Sequence, residues 1–243
     1  MTQSHSIICK GCWQHMRMPI PIRGLLSIPA RIVGIKISRM NPNLCNICET
    51  MFTSVKRRKQ IIVPATVLFA DLRGYTSMSQ TAASADVVDM LHGFADQCAQ
   101  AVWERDGIVN KLTGDGMLAI FNFPIMREDH VQQAALAAQD IQRRWAERSG
   151  QASARGDAII GLGIGIHTGM ASIGEIGTAY KDFTIIGPVV NMASRIQNAA
   201  TAGEVLVSSE VYAHVAGLFP SPQSRECQLK GIDAPVTVHP LVV

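Results

Sequence analysis

Two aspartates, Asp71 and Asp115, and two pairs of cysteines are the residues of this chain whose types and spacing suit chemistry. Asp115 stands in Thr113-Gly114-Asp115-Gly116, between the apolar runs Ile108 to Leu112 and Met117 to Phe121. An Asp-Gly between such runs is a strong hairpin signal, and on that reading alone the tripeptide is a tight turn. Asp71 ends another apolar run, Thr66-Val67-Leu68-Phe69-Ala70-Asp71. If the two strands are neighbours in one sheet, the carboxylates converge, and such a pair suits a hard divalent cation such as Mg²⁺. A carboxylate that only caps a strand end is the alternative for Asp71.

The cysteines are arranged as Cys9-Lys10-Gly11-Cys12 and Cys45-Asn46-Ile47-Cys48, with 32 residues between the pairs. Four thiolates are the complement of a tetrahedral structural zinc, and a glycine inside the first pair eases the turn around a metal. The gap exceeds the about 15–20 residues of a simple zinc pattern. A four-cysteine iron–sulfur cluster needs the same ligands, and thiol redox chemistry is a third reading. His5 and His15 lie nearby and read as surface histidines. Paired cysteines in this pattern fit a reducing, cytoplasmic compartment.

The 243 residues are 47% apolar and 17% charged, enough for a substantial core and too few charges for a disordered chain. The net charge of +3 hides an asymmetry: residues 1–60 hold ten Lys or Arg and one acid, Glu49, while the remainder holds 12 basic and 18 acidic residues. A basic head on a mildly acidic body suggests two units. No window reaches the ~20 uninterrupted apolar residues that span a bilayer. The most apolar early stretch, Leu25 to Ile37, is interrupted by Pro29, Arg31 and Lys36. The first residues also lack the basic and apolar regions of a secretion signal. The cluster Lys56-Arg57-Arg58-Lys59 reads as a solvated linker, and no aromatic platform accompanies it that would suggest nucleic acid.

These residues need positioning elements, and the pattern supplies them from Thr66 onward. Val67 to Asp71 reads as a buried strand. Ser84 to Glu104 carries Val87, Leu91, Phe94, Cys98 and Ala101 at helical spacing, with Ser84 as cap. The hairpin follows, Pro124 ends it, and a second helix runs through Val131, Ala138, Ile141 and Trp145. Ile159 to Thr168 is a strand with Gly161, Gly163 and Gly165 on one face, where glycine admits close helix packing. The order is β-α-β-β-α-β, a ferredoxin-like α+β core. Beyond it come an extended arm (Ser172 to Ile186), a helix (Val189 to Ala200), a strand (Glu204 to Val207) and a helix (Ser209 to Val215). Two closing strands, around Gln228-Leu229-Lys230 and over Val236 to Leu241, form a C-terminal extension. The expected division is a Cys-rich module over 1–52, a basic linker over 53–62 and a large domain over 63–243.

From about Val63 to His239 the chain resembles the class III nucleotide cyclase catalytic domain. Phe69-Ala70-Asp71-Leu72-Arg73-Gly74-Tyr75-Thr76 is similar to the family's first metal motif and Lys111-Leu112-Thr113-Gly114-Asp115 to its second. Phe183-Thr184-Ile185-Ile186-Gly187-Pro188-Val189-Val190-Asn191-Met192-Ala193-Ser194-Arg195 resembles the segment that closes on base and phosphates. The Gly-Gly-Asp-Glu turn of the sister diguanylate cyclases is absent. The resemblance implies conversion of ATP to cyclic AMP and pyrophosphate, by attack of the ribose 3′-hydroxyl on the α-phosphorus. Two Mg²⁺ or Mn²⁺ ions, about 3.5–4 Å apart, activate the hydroxyl and hold the phosphates in such a site.

By the same resemblance, Asp71, Asp115 and the Leu72 carbonyl hold the ions. Arg195 stabilises the α-phosphate in the transition state and Asn191 orients the ribose, while Lys230 holds the triphosphate; a solvated surface lysine is its alternative. Lys111 and Thr184 contact the base. Lysine at the first position marks the adenylyl type, since a cation donates to adenine N1. Threonine at the second resembles the subgroup containing the bicarbonate-responsive soluble cyclases. The segment Gly187-Pro188-Val189-Val190 lacks the polar residue that often follows this glycine. In the family the metal aspartates and the base and transition-state residues come from opposite subunits, so a homodimer with two equivalent sites is implied. The Cys-rich head is then a candidate regulatory module, with an unidentified partner or a redox signal acting through it. A guanylate cyclase, a catalytically silent nucleotide-binding domain, and a nucleic-acid-binding head on a cyclase-fold dimeriser are the competing readings.

Overall fold

A computed structural model describes residues 5–54, 61–154, 160–176, 182–220 and 223–242. The head contains helices α1 (Lys10–Met16), α2 (Ile28–Ile32) and α3 (Asn46–Ser54), with a 3₁₀ turn at Leu25–Ser27. The body runs β1 (Ile61–Arg73), α4 (Tyr75–Ser79), α5 (Ser84–Glu104), β2 (Ile108–Thr113), β3 (Gly116–Phe121), α6 (His130–Ala154) and β4 (Gly161–Ile176). It continues as β5 (Asp182–Ile186), α7 (Pro188–Ala199), β6 (Val205–Ser208), α8 (Ser209–Val215), β7 (Arg225–Cys227) and β8 (Val236–Leu241). The expected βαββαβ order and C-terminal extension are both present, and the architecture is α+β.

One sheet, in the order β2-β3-β1-β4-β6-β8-β7, carries the site, with β5 paired to β4. β1 is an interior strand, antiparallel to β3 on one side and to β4 on the other. Because side chains alternate along a strand, β1 feeds two cores at once. Leu68, Ala70 and Leu72 pack under α5, α6 and α8 with Phe94, Ala138 and Val211. Ala65 and Val67 point to the other face, against Val189 and Ala193 of α7 and against the head. Trp145 and Gln142 of α6 tie that helix to β4 by donating to the Ile160 and Leu162 carbonyls, at 2.7 and 2.8 Å.

The expected arm is the β4–β5 hairpin, in which Ser172 faces Ile186; its tip, 177–181, lies outside the described residues. The glycines of β4 do admit close neighbours. A Cβ on Gly165 would overlap the Gln197 backbone in α7, one on Gly161 would strike Ala202, and the Gly163 position is filled by the Arg73 guanidinium.

Two expected details change. Ser84 is the first residue of α5 rather than its cap: the chain turns at extended Ala83, whose side chain makes no capping bond. The penultimate strand is Arg225–Cys227, not Gln228–Lys230, because Cys227 already faces Val236 across the hairpin. The residues between must turn, and Gly231 does so at φ +72° while Leu229 is buried in the neighbouring core.

The head is docked on the body. Cys9, Cys12, Cys45 and Cys48 share one buried cluster with Ala65, Val67, Ile120 and Ile125, and so help cover the second face of the sheet. At the edge of that contact the buried Asp106 carboxylate accepts from Lys10 (2.6 and 2.7 Å) and from Arg127 (3.0 Å). Asn41 donates to the Gly107 carbonyl at 2.6 Å, and Trp103 to that of Met40 at 2.7 Å. Helix α3 extends through Ser54 and β1 begins at Ile61; residues 55–60 between them, with the basic cluster of the expected 53–62 linker, lie outside the described residues.

The contact of β4 with α7 gives a direct test. Gly165→Val is expected to cost about 1–3 kcal/mol through overpacking, read as a lower thermal unfolding midpoint. An unchanged midpoint would show that α7 does not press on β4 at this residue.

Candidate active site

Asp71 lies opposite Gly116 in the β1–β3 pairing, which places it beside the turn that carries Asp115. The Leu72 amide donates to the Asp115 carbonyl at 3.0 Å and fastens the turn to the strand end. Both carboxylates are half-buried. Burial pushes the Asp71 carboxyl above its ordinary value, the Asp115 charge pushes the same way, and Arg73 opposes both. Two carboxylates that repel in a partly dry site are what a divalent cation relieves, and the oxygen donors suit Mg²⁺ or Mn²⁺. Small Gly116 permits the approach, since a Cβ there would lie 3.2 Å from Asp71 Oδ1.

Arg73, two residues along the same face, lies 3.6 Å from Asp71 and bonds to the Gln197 carbonyl of α7. Its Nε is buried without a hydrogen bond. The role of Arg73 in joining the carboxylate site to α7 was not read from the sequence; its spacing of two from Asp71 was the available signal.

Strand β2 holds the second group. Its register with β3 shifts between Val109 and Lys111, so Asn110 is an extra, bulged residue. Strand parity makes the consequence definite. Val109 pairs with Ala119 on the helix-packed face, and without the bulge Lys111 would pair with Met117 on that face. The bulge instead puts Lys111 opposite Leu118, on the face shared with Phe183 and Val189. Asn110 is also fixed: its Nδ2 donates to the Phe183 carbonyl at 3.1 Å, and its Oδ1 accepts from the Thr184 hydroxyl at 3.4 Å. Lys111 and Thr184 are thus on adjoining elements bridged by Asn110. Asn110 does not stand out in the sequence alone; a poor strand former inside Ile-Val-Asn-Lys-Leu is its one local signal.

Helix α7 holds the third group. Ala193, Ile196 and Gln197 are buried against the sheet, which leaves exposed Asn191 and half-buried Arg195 one turn apart on the outer side. Arg195 Nη1 donates to the Gly231 carbonyl at 3.4 Å, not to Asp71 or Asp115. Lys230 is exposed, in the turn beside that carbonyl. One chain therefore brings together Asp71 with Asp115, Asn110 with Thr184, and Arg195 with the Lys230 turn.

The four cysteines converge as well. Their sulfurs lie within 4.8 Å of one another, at 3.6 Å for Cys9–Cys48, 3.4 Å for Cys12–Cys45 and 3.3 Å for Cys12–Cys48. A tetrahedral ion with bonds of about 2.3 Å requires sulfur separations a little under 4 Å. An iron–sulfur cubane, with several inorganic atoms between its thiolates, needs them further apart. Amides of Cys12 and Cys45 donate to Cys9 Sγ at 3.4 and 3.2 Å, and Gly11 leaves room for Cys48 Sγ. Burial pushes the Cys12 thiol up, while bonds from Cys48 and Cys9 hold Cys45 down.

Comparison with known proteins places this arrangement. Residues 58–241 match the family described as the adenylate and guanylate cyclase catalytic domain. An adenylate cyclase of Anabaena cylindrica is 30% identical over 72% of this chain and 36% of its own length. Adenylate cyclase 1 of Rhizobium meliloti is 27% identical over 73% of this chain and 27% of its own. The chain thus spans about a third of the length of these relatives. Among solved structures, the adenylyl cyclase CyaB from P. aeruginosa superposes with a TM-score of 0.71 at 26% identity, over 76% of this chain and 96% of that one. The guanylyl cyclase Cya2 superposes with a TM-score of 0.70 at 28% identity, over 75% and 93%. Sheet order, converging aspartates and family match agree: the chain belongs to the adenylate and guanylate cyclase catalytic-domain family.

Proposed function

We propose that this protein is an adenylate cyclase, forming cyclic AMP and pyrophosphate from ATP at a homodimer interface. The choice of ATP rests on one observation, the order of hydrogen bonds at Thr184. The Phe183 carbonyl fixes the Asn110 amide, so Asn110 presents its oxygen and the Thr184 hydroxyl must donate to it. That leaves the hydroxyl's lone pairs to accept, which matches the amino group of adenine and mismatches the carbonyl of guanine. Lys111, next to Asn110 in β2, would supply a donor for adenine N1, as the family resemblance implies.

The remaining roles are those that the family resemblance implies, and the chemistry of the side chains supports them. Asp71, Asp115 and the Leu72 carbonyl would hold two divalent ions, which when bound acidify the 3′-hydroxyl and neutralise the phosphates. Arg195, permanently charged and planar, suits the α-phosphate as negative charge grows there. Asn191 would orient the ribose one helical turn away, and Lys230 would meet the triphosphate. Arg195 points to the Gly231 turn rather than to its own chain's aspartates, which favours completion of each site by a second copy. The sulfur separations favour structural zinc in the head over iron–sulfur, and the head's grip on Asp106 and Gly107, just before β2, gives it a route to Lys111.

Three outcomes are expected. Purified protein makes cyclic AMP from ATP with Mg²⁺ or Mn²⁺, and Asp71→Ala loses turnover by about 10³-fold or more while remaining folded; absence of turnover from either nucleotide would demote the chain to a binding domain. Asn110→Ala frees the Thr184 hydroxyl to donate and lowers the ATP-over-GTP ratio of kcat/KM by roughly tenfold; an unchanged ratio removes Asn110 from base selection. Elemental analysis finds one zinc per chain in colourless protein, and Cys48→Ser loses it and unfolds at lower temperature. Visible absorbance with bound iron would overturn zinc.

A further inference from the structure

The head carries an apolar projection that catalysis does not use. Leu25, Leu26, Ile32 and Val33 are 75–84% exposed, and Ile28 is 51% exposed. They run through the 3₁₀ turn and α2 to its C-cap Val33, so that five aliphatic side chains are exposed within nine consecutive residues. Gly24 and Gly34, at φ +73° and +86°, turn the chain at either end, and a Cβ on either would meet nothing. The base of the projection is held firmly. Asn46 accepts from the Lys36 amide at 2.8 Å and donates to the Gly34 carbonyl at 3.1 Å, and Cys45 bridges to Ile37. A rigid mount thus presents the aliphatic tip.

The projection itself carries charge of one sign, and the head's one acid, Glu49, is held by the Ser38 hydroxyl and the Arg39 amide. The first 48 residues contain no aspartate or glutamate. Arg31, inside the projection, and Lys36, just beyond Gly34, are both exposed. A second copy docked on this face would bring like charges together. A surface of anionic lipid instead neutralises the cations at its headgroups while accepting the aliphatic side chains beneath them. We propose that the Leu25–Val33 projection inserts into the interfacial region of an anionic membrane, holding the cyclase at the bilayer surface. This requires no spanning segment, and none of the described helices is long and apolar enough to cross a membrane.

The test is sedimentation of the full chain with vesicles of phosphatidylcholine alone or with phosphatidylserine added. Wild type is expected to pellet with the anionic vesicles. Leu26→Asp/Ile32→Asp, at largely exposed positions, is expected to weaken this by about tenfold or more. Arg31→Ala/Lys36→Ala should weaken it roughly 30-fold, with higher salt mimicking the loss. Both variants should retain cyclic nucleotide turnover in solution, or the wild-type unfolding midpoint where turnover is absent. Wild type left in the supernatant, or unimpaired binding by the aspartate variant, overturns the proposal. So does a smaller oligomer for that variant in sedimentation velocity, which would assign the face to a second copy.

Discussion

The pairing of β1 with β3 and β4 is the constraint on which the site depends. It faces Asp71 to Gly116 and thereby to the Asp115 turn, and the same strand faces Gly163, where Arg73 finds space. The period of two makes the register unforgiving. A slip by one residue would carry Asp71 into the core under α5 and α6 and bring Leu68 out of it. The apolar side chains of both faces therefore fix where the carboxylates stand. The repulsion between Asp71 and Asp115 is tolerated because burial of Val67, Leu68 and Ala70 on either side leaves the strand no other alignment.

Much of this was legible because it rests on local pattern. The helical stripe of Phe94, Cys98 and Ala101, the Asp-Gly turn and the apolar run before Asp71 each named their element without help from the rest of the chain. The motifs around Asp71, Lys111 and Asn191 then named the family. What stayed hidden was set by partners distant in sequence. The bulge at Asn110 exists only relative to β3, and the displacement of β7 to Arg225–Cys227 only relative to β8. Ser84 misleads because a capping residue type one position late is already inside the helix.

The cysteines illustrate a subtler gap. Their spacing shows four ligands, and the structure brings all four sulfurs together. Spacing cannot show that the same residues also cover the sheet. With Leu44 and Ile22 they fill space over Val67 and Ile120 that a free-standing module would leave to something else. The basic head and acidic body, which composition presents as two units, meet at Asp106, where Lys10 of one and Arg127 of the other share a carboxylate.

That shared carboxylate bears on how the chain is made. Lys10 waits for a residue 96 positions later, and Gln14 for Met126, 112 positions later. Contacts so distant in sequence form late, after the loop entropy between them has been overcome. During synthesis the head therefore leaves the ribosome with its docking surface unmade and its four thiols uncovered. A metal captured at that stage would hold Cys9, Cys12, Cys45 and Cys48 together and shield them from oxidation until the hairpin that receives them has been translated.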